Sequence, residues 1–195
     1  MRRRAVPVWI VPLLVGLGAA GLAVVRQATA ALPHLPSYGQ VPDFHLTDQL
    51  GRAVSRETLA GRAWVADFIF TRCAGQCPMM TAKMQQLAQT VSASSDVTLV
   101  SISVDPGWDT PEVLARYAEG AGADHGSWLF LTGEPEEITR LCRQGFKLSS
   151  ELLTHSTRLA LVDRTGVIRG YYEADDAKAM GRLQRALRVL LKERS

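Results

Sequence analysis

The sequence predicts an α/β domain with a central mixed sheet, parallel at its core, flanked by helices on both faces and preceded by a β-hairpin. Three observations predict it. Short, almost wholly apolar runs at residues 63–70, 97–104 and 128–131 alternate with amphipathic helical stretches. Strands too apolar to face water on either side, joined by helical crossovers, imply a parallel core covered on both faces. Alternating segments around Gly-containing turns at 41–54 and 159–172 read as hairpins at the two ends of the order. A chain of 195 residues, 47% hydrophobic and 21% charged, has the composition of one globular domain with a short extension.

Residues 1–26 form that extension. No charged side chain occurs between Ala5 and Val25, a length that crosses a hydrocarbon core of about 30 Å at 1.5 Å per residue. Arg2, Arg3 and Arg4 precede the run and only Arg26 follows it, so the positive-inside rule keeps the N-terminus in the cytoplasm and puts the domain on the extracytoplasmic side. The run is expected to be a retained single-pass anchor in the cell membrane. Ala28-Thr29-Ala30 offers the competing reading of a signal-peptidase site, although Arg26-Gln27 interrupts the approach to it. No cysteine lies near the end of the run to carry a lipid. Without Arg2, Arg3 and Arg4 the 22 Lys and Arg fall to 19, equal to the 19 Asp and Glu. The body is neutral, and nothing marks a nucleic-acid surface.

Residues 27–40 are Pro-rich and unpatterned, the expected linker, with His34 solvated. The domain, 41–195, then opens with the first hairpin, where His45 takes the polar phase of its strand. The apolar run from Ala63 ends at Thr71-Arg72, and Pro78 followed by helix formers starts a helix, with Met80, Met84, Leu87 and Val91 at the spacing of one buried face. Residues 97–104 form the next strand, ending at Asp105-Pro106. Thr110 then caps a helix that has Pro111 at its first position and runs to about Glu119. Residues 128–131 are a further strand and 134–146 a further helix, with Cys142 on its core face between Ile138 and Phe146 as a small buried hydrophobe or an oxidation-sensitive thiol. His125 falls in a loop. After the second hairpin, a last helix over about 175–192 buries Met180, Leu183, Leu187 and Leu190. It exposes Lys178, Arg182, Arg185 and Arg188, a solvated face or one that a membrane-proximal domain sets on anionic lipid.

The chemistry gathers at Cys73 and Cys77. They sit on a strand-to-helix turn with three residues between them, so their sulfurs are about one helical turn apart, close enough to be oxidised together or to share a metal ion. The helix N-terminus points at them, and its N–H groups and dipole favour thiolate, the form that attacks and that binds metal. A plain structural bridge fits the local pattern as well.

Taken together, Asp67-Phe68-Ile69-Phe70-Thr71-x-Cys73-x-x-x-Cys77-Pro78-Met79-Met80-Thr81, Ser103-Val104-Asp105-Pro106-x-x-Asp109-Thr110-Pro111, Phe130-Leu131-Thr132-Gly133 and His155-Ser156 form a recognisable series. The chain resembles the thioredoxin fold, and more closely the Sco (SenC) family of membrane-anchored copper proteins of cytochrome c oxidase assembly, over roughly 41–191. The resemblance implies one copper ion held by Cys73, Cys77 and His155. Its implied partners are the copper-bearing oxidase subunit, where the binuclear centre is built, and a thiol reductant or copper donor protein.

Two thiolates and an imidazole suit Cu(I), and with added oxygen ligands Cu(II), whereas structural zinc closes with four protein ligands. The residues alone leave His155 either a ligand or a loop histidine bonded to backbone. Thioredoxins place two residues between their cysteines and a cis-proline facing them. Here there are three, and His155-Ser156 stands where that proline is expected, which favours metal handling over open disulfide exchange. The rival reading is a thiol-disulfide reductase or redox sensor acting on oxidase cysteines; nothing from Arg72 to Cys77 argues for a peroxidase. Asp67 is either a buried carboxylate tuning the thiols or a satisfied acid at a strand edge. Asp105 either shapes the site or a partner surface, or simply forms a turn before Pro106.

Overall fold

The computed structural model describes residues 35–91, 96–123, 127–148 and 157–192, all within the compact unit Leu35–Ser195. The expected membrane segment, His34, His125 and His155 lie outside the described residues. Among those described, no helix is long and apolar enough to cross a bilayer.

Seven strands follow one another as β1 (His45–Asp48), β2 (Ala53–Ser55), β3 (Ala63–Ile69), β4 (Val97–Ser103), β5 (Trp128–Thr132), β6 (Arg158–Val162) and β7 (Ile168–Glu173). They make one sheet in the order β2-β1-β5-β4-β3-β6-β7. β3, β4 and β5 are parallel, while β1–β2, β1–β5, β3–β6 and β6–β7 pair antiparallel. The mixed sheet with a parallel core is therefore the one the apolar runs predict. Every residue of β3 and β4 is buried, because both faces are covered.

The helices are α1 (Arg56–Leu59), α2 (Cys77–Val91), α3 (Pro111–Gly120), α4 (Pro135–Arg140) and α5 (Ala177–Lys192). One core holds Val65 and Ile69 of β3 against Met80, Met84 and Leu87 of α2, Leu114 of α3 and Leu183 and Leu187 of α5. The other holds Trp64, Ala66 and Phe68 against Phe44, Leu59, Ile138, Leu141 and Phe146. Alternate residues of β3 thus feed opposite cores, as the two-residue period of a strand requires. Phe146 meets Trp64 and Phe68 edge to face at 5.9 and 5.0 Å, and truncating a ring so placed costs roughly 3–5 kcal/mol.

Three local departures from the sequence pattern have physical causes. The helix expected over 134–146 ends at Arg140 and widens into a π-helical turn, Leu141–Gly145, in which Phe146 N–H donates to Leu141 O at 3.1 Å. Widening brings Leu141, Cys142, Gly145 and Phe146 together onto the core. A Cβ at 145 would stand 3.0 Å from Pro42 and 3.2 Å from Leu141, so a larger residue there would need both neighbours to shift. The short helix α1 follows from a capping box, with Ser55 and Thr58 exchanging side-chain and backbone bonds. On α5, Met180 is half-buried, and the small Ala179 and Ala186 lie fully against the sheet beside Leu183, Leu187 and Leu190.

Before β1, residues 35–40 run along the outer edge of β7. Tyr38 N–H donates to Ile168 O at 2.9 Å, Arg169 donates to Leu35 O, and Gln40 bridges to Val167. The compact unit accordingly begins within the stretch expected as linker.

Candidate functional site

Parallel pairing puts the C-terminal ends of β3 and β4 side by side, and both loops leaving that edge carry the polar residues singled out in the sequence. From β3 the chain passes through Phe70 and Thr71 to Cys73, whose N–H donates to Phe70 O at 3.1 Å, and then enters α2 at Cys77. The strand end and the helix start therefore fix the two thiols from opposite sides. The two sulfurs are not bonded to each other; Cys73 is half-buried and Cys77 is 6% exposed within the α2 core.

The two thiols are electrostatically unequal. Burial pushes the Cys73 thiol up, but hydrogen bonding from the Cys77 thiol and from the N–H groups of Cys77, Gly75 and Gln76 outweighs it and leaves Cys73 below the ordinary thiol range. Cys77 is pushed up to about 12, first by burial, then by donating its own proton to Cys73 and by the charges of Cys73 and Asp67. The buried sulfur is the one that keeps its proton, and the outer sulfur is the more readily ionised of the two, the nucleophile or first metal ligand.

Asp67 lies beneath this pair on the α2 side of β3. It is not at a strand edge, since β3 sits mid-sheet between β4 and β6. The β3–β4 register sets it opposite Ser101, whose hydroxyl donates to Oδ1 at 2.6 Å while accepting from the Trp128 indole at 2.9 Å. Oδ2 is buried with no hydrogen-bond partner, and burial raises the carboxyl to about 7. The acid is only half satisfied, which separates it from an ordinary structural carboxylate.

Asp105 forms the turn after β4. Its main chain turns the loop, with Trp108 and Asp109 N–H donating to Asp105 O at 3.0 and 2.9 Å, and its carboxylate accepts from Arg72 at 2.5 Å. The Arg72 guanidinium also covers the half-exposed Trp108 ring at 4.7 Å. Asp109, noted in the sequence only for its place after the strand, is the anchor of the two loops. Fully buried, it accepts from Thr71 N–H, Thr71 Oγ1 and Ser103 Oγ.

Tyr117 was not singled out in the sequence. Its hydroxyl meets Thr81 at 2.7 Å, and with Thr71, Cys73, Pro78 and Arg116 it lines a groove of about 500 Å³ between α2 and α3. Its position beside Leu114 and Ala118 on the buried face of α3 was the available signal. Cys142 is buried in the opposite core, with its thiol pushed up to about 12 by burial, and has no part in the site.

Among the described residues no three His, Cys, Asp or Glu side chains converge as a metal cage. Cys73 and Cys77 supply two soft donors in mutual contact, and His155 lies outside the described residues.

A family model for SCO1/SenC matches residues 36–189. The SCO1 protein homolog of Bacillus subtilis strain 168 is 41% identical over 110 residues, covering 55% of this chain and 57% of its own length. The solved structure of BsSco, a member of the Sco family of cytochrome c oxidase assembly proteins in which a disulfide switch was identified, is similar at 30% identity. It covers 82% of this chain and 96% of its own, with TM-score 0.71. Bradyrhizobium japonicum ScoI, solved with copper bound, shares the fold at 24% identity and TM-score 0.62 over 75% of this chain and 98% of its own.

Proposed function

This chain belongs to the SCO1/SenC family, and on that premise we propose that it is a membrane-tethered, extracytoplasmic copper carrier for cytochrome c oxidase assembly. Copper is its cargo, held by Cys73, Cys77 and His155 and passed to the binuclear centre of the copper-bearing oxidase subunit. Residues 1–26 are the anchor and 27–34 the tether to the compact unit.

The observation that supports this reading is the unequal dithiol at the start of α2. Cys73, already favoured as thiolate, captures a soft cation first, and Cys77 closes on it by giving up its proton. Delivery runs in reverse: an acceptor thiolate displaces one sulfur, and a returning proton stabilises Cys77 in the empty form. Asp67, with one unpartnered oxygen beneath the thiols, tunes how readily Cys77 loses its proton.

The test is Cu(I) titration, in competition with a chromophoric chelator, of the reduced protein and of Cys73→Ser, Cys77→Ser and His155→Ala. Each variant is expected to weaken binding at least tenfold. Parental affinity in all three would end the assignment.

The same inequality also favours a second reading, a thiol-disulfide reductase or redox sensor acting on oxidase cysteines, since an activated outer thiol and a protonated inner one are what disulfide exchange needs. The two separate at His155→Ala, which leaves exchange with a model disulfide intact and impairs copper retention.

A further inference from the structure

We propose that the basic face of α5 is a docking surface for an anionic lipid bilayer, which sets the orientation of the dithiol edge relative to the membrane. The inference rests on the tethered reading above. Lys178, Arg182, Arg185, Arg188 and Lys192 are all exposed and recur at steps of three or four residues, which puts them along one side of the helix. No Asp or Glu occurs within Ala177–Lys192. Among the described residues, Arg182 lies 3.8 Å from Asp176 at the start of the helix.

The charge is segregated rather than general. All 19 Asp and Glu follow residue 34, whereas Arg2, Arg3, Arg4 and Arg26 of the 22 Lys and Arg precede it, so the compact unit is close to neutral with a slight acidic excess. With five of its 18 Lys and Arg gathered on this one face, the unit concentrates its positive charge along α5. The opposite side of α5 is fully engaged, with Leu183, Leu187 and Leu190 in the core, so the face is presented on a rigid support.

Chain length selects a bilayer as the occupant. The uncharged run ends at Val25 and the packed chain begins at Leu35. Ten extended residues span at most about 35 Å. That tether is pinned at the edge of β7 through Arg169 to Leu35 and Tyr38 to Ile168, and β7 packs directly against α5. Leu35 itself packs on the core to which α5 contributes. The basic face therefore belongs to the element next to the tether's attachment, within reach of lipid headgroups whose charge it complements. Lys and Arg near an anionic surface gain attraction additively.

Residues 35–195 are a compact unit that contains every described strand and both cores, so the domain is tested alone. The domain is sedimented with vesicles of phosphatidylcholine or with about 30% phosphatidylglycerol. Binding to the anionic vesicles is expected to be at least tenfold tighter and to fall with added salt. The combined Arg182→Glu, Arg185→Glu and Arg188→Glu variant loses it, while Arg62→Glu, Arg116→Glu and Arg143→Glu, an equal charge change on other surfaces, keeps it; circular dichroism confirms that both fold. Equal binding to the two vesicle types, equal loss in both variants, or binding of an acidic polypeptide without vesicle binding would each overturn the proposal. Failure of the anchor itself is read separately, as release of the full chain from membranes by alkaline carbonate.

Discussion

The carboxylate of Asp109 takes both the main-chain N–H of Thr71, at 3.1 Å, and its hydroxyl, at 2.5 Å. Thr71 stands two residues before Cys73, so the loop carrying the outer thiol is fastened to the end of the neighbouring strand, where Ser103 adds a third bond at 2.5 Å. A buried carboxylate with three donors is a junction whose loss leaves every donor unpaired. Asp109→Ala is therefore expected to lower unfolding free energy by roughly 3 kcal/mol, read from urea denaturation of the reduced protein. Asp109→Asn, which keeps an acceptor, is expected to lose less. An alanine variant within a few tenths of a kcal/mol of the parent would show that the junction does not hold the loop.

Alkylation rates report the inequality of the thiols. Cys73 should react with iodoacetamide well before Cys77, since its thiolate is stabilised and its sulfur reachable. Removing the donor in Cys77→Ala takes away a bond that holds Cys73 down, so the midpoint of the Cys73 rate profile should move to higher pH. An unmoved midpoint would mean that the α2 N-terminus alone activates Cys73.

Asp67 makes stability depend on pH in a defined direction. Its carboxyl is raised in the folded chain from 3.8 to about 7, so the folded state binds the proton more tightly than the unfolded one. The stabilising contribution is complete below the unfolded value and is lost as pH rises through the folded one. Between pH 4 and pH 8 the parent should lose about 4 kcal/mol through this group, and Asp67→Asn should lose little. Denaturation at the two pH values checks it: parallel losses in parent and variant would place the titration elsewhere.

How much of this was legible in the sequence depends on how local each feature is. The strands announce themselves because β3 and β4 are buried on both faces and so are apolar throughout, and α2 shows its face through Met80, Met84, Leu87 and Val91. Cys73 and Cys77 declare themselves by spacing. The bonds from Asp109 to Thr71 bridge 38 positions, and they exist only because β3 and β4 run parallel in one register. Tyr117 shows its inward place by its spacing from Leu114 and Ala118, but that it reaches the groove at Cys73 depends on how α3 packs beside α2. The widened turn at Leu141 packs Gly145 beside Pro42, a residue a hundred positions earlier that no local spacing links to it. Asp67 could be suspected of burial from its apolar neighbours, but its missing partner depends on what surrounds Oδ2 in three dimensions.

Copper affinity should rise with pH, and Cys77 fixes the minimum slope. In the empty protein its thiol is pushed up to about 12, so it is protonated throughout the neutral range and must release that proton on joining the metal. Each released proton makes apparent affinity climb about tenfold per pH unit, hence about a hundredfold between pH 6 and pH 8 from this thiol alone. Cys73, whose thiol is held down, adds less to the slope than an unshifted thiol would. Cys77→Ser removes the obligatory proton and should flatten the profile as well as lower it. Competition titrations with a chelator of known pH response measure this directly. A parental affinity that did not change over the range would mean that Cys77 stays protonated and only one sulfur holds the ion.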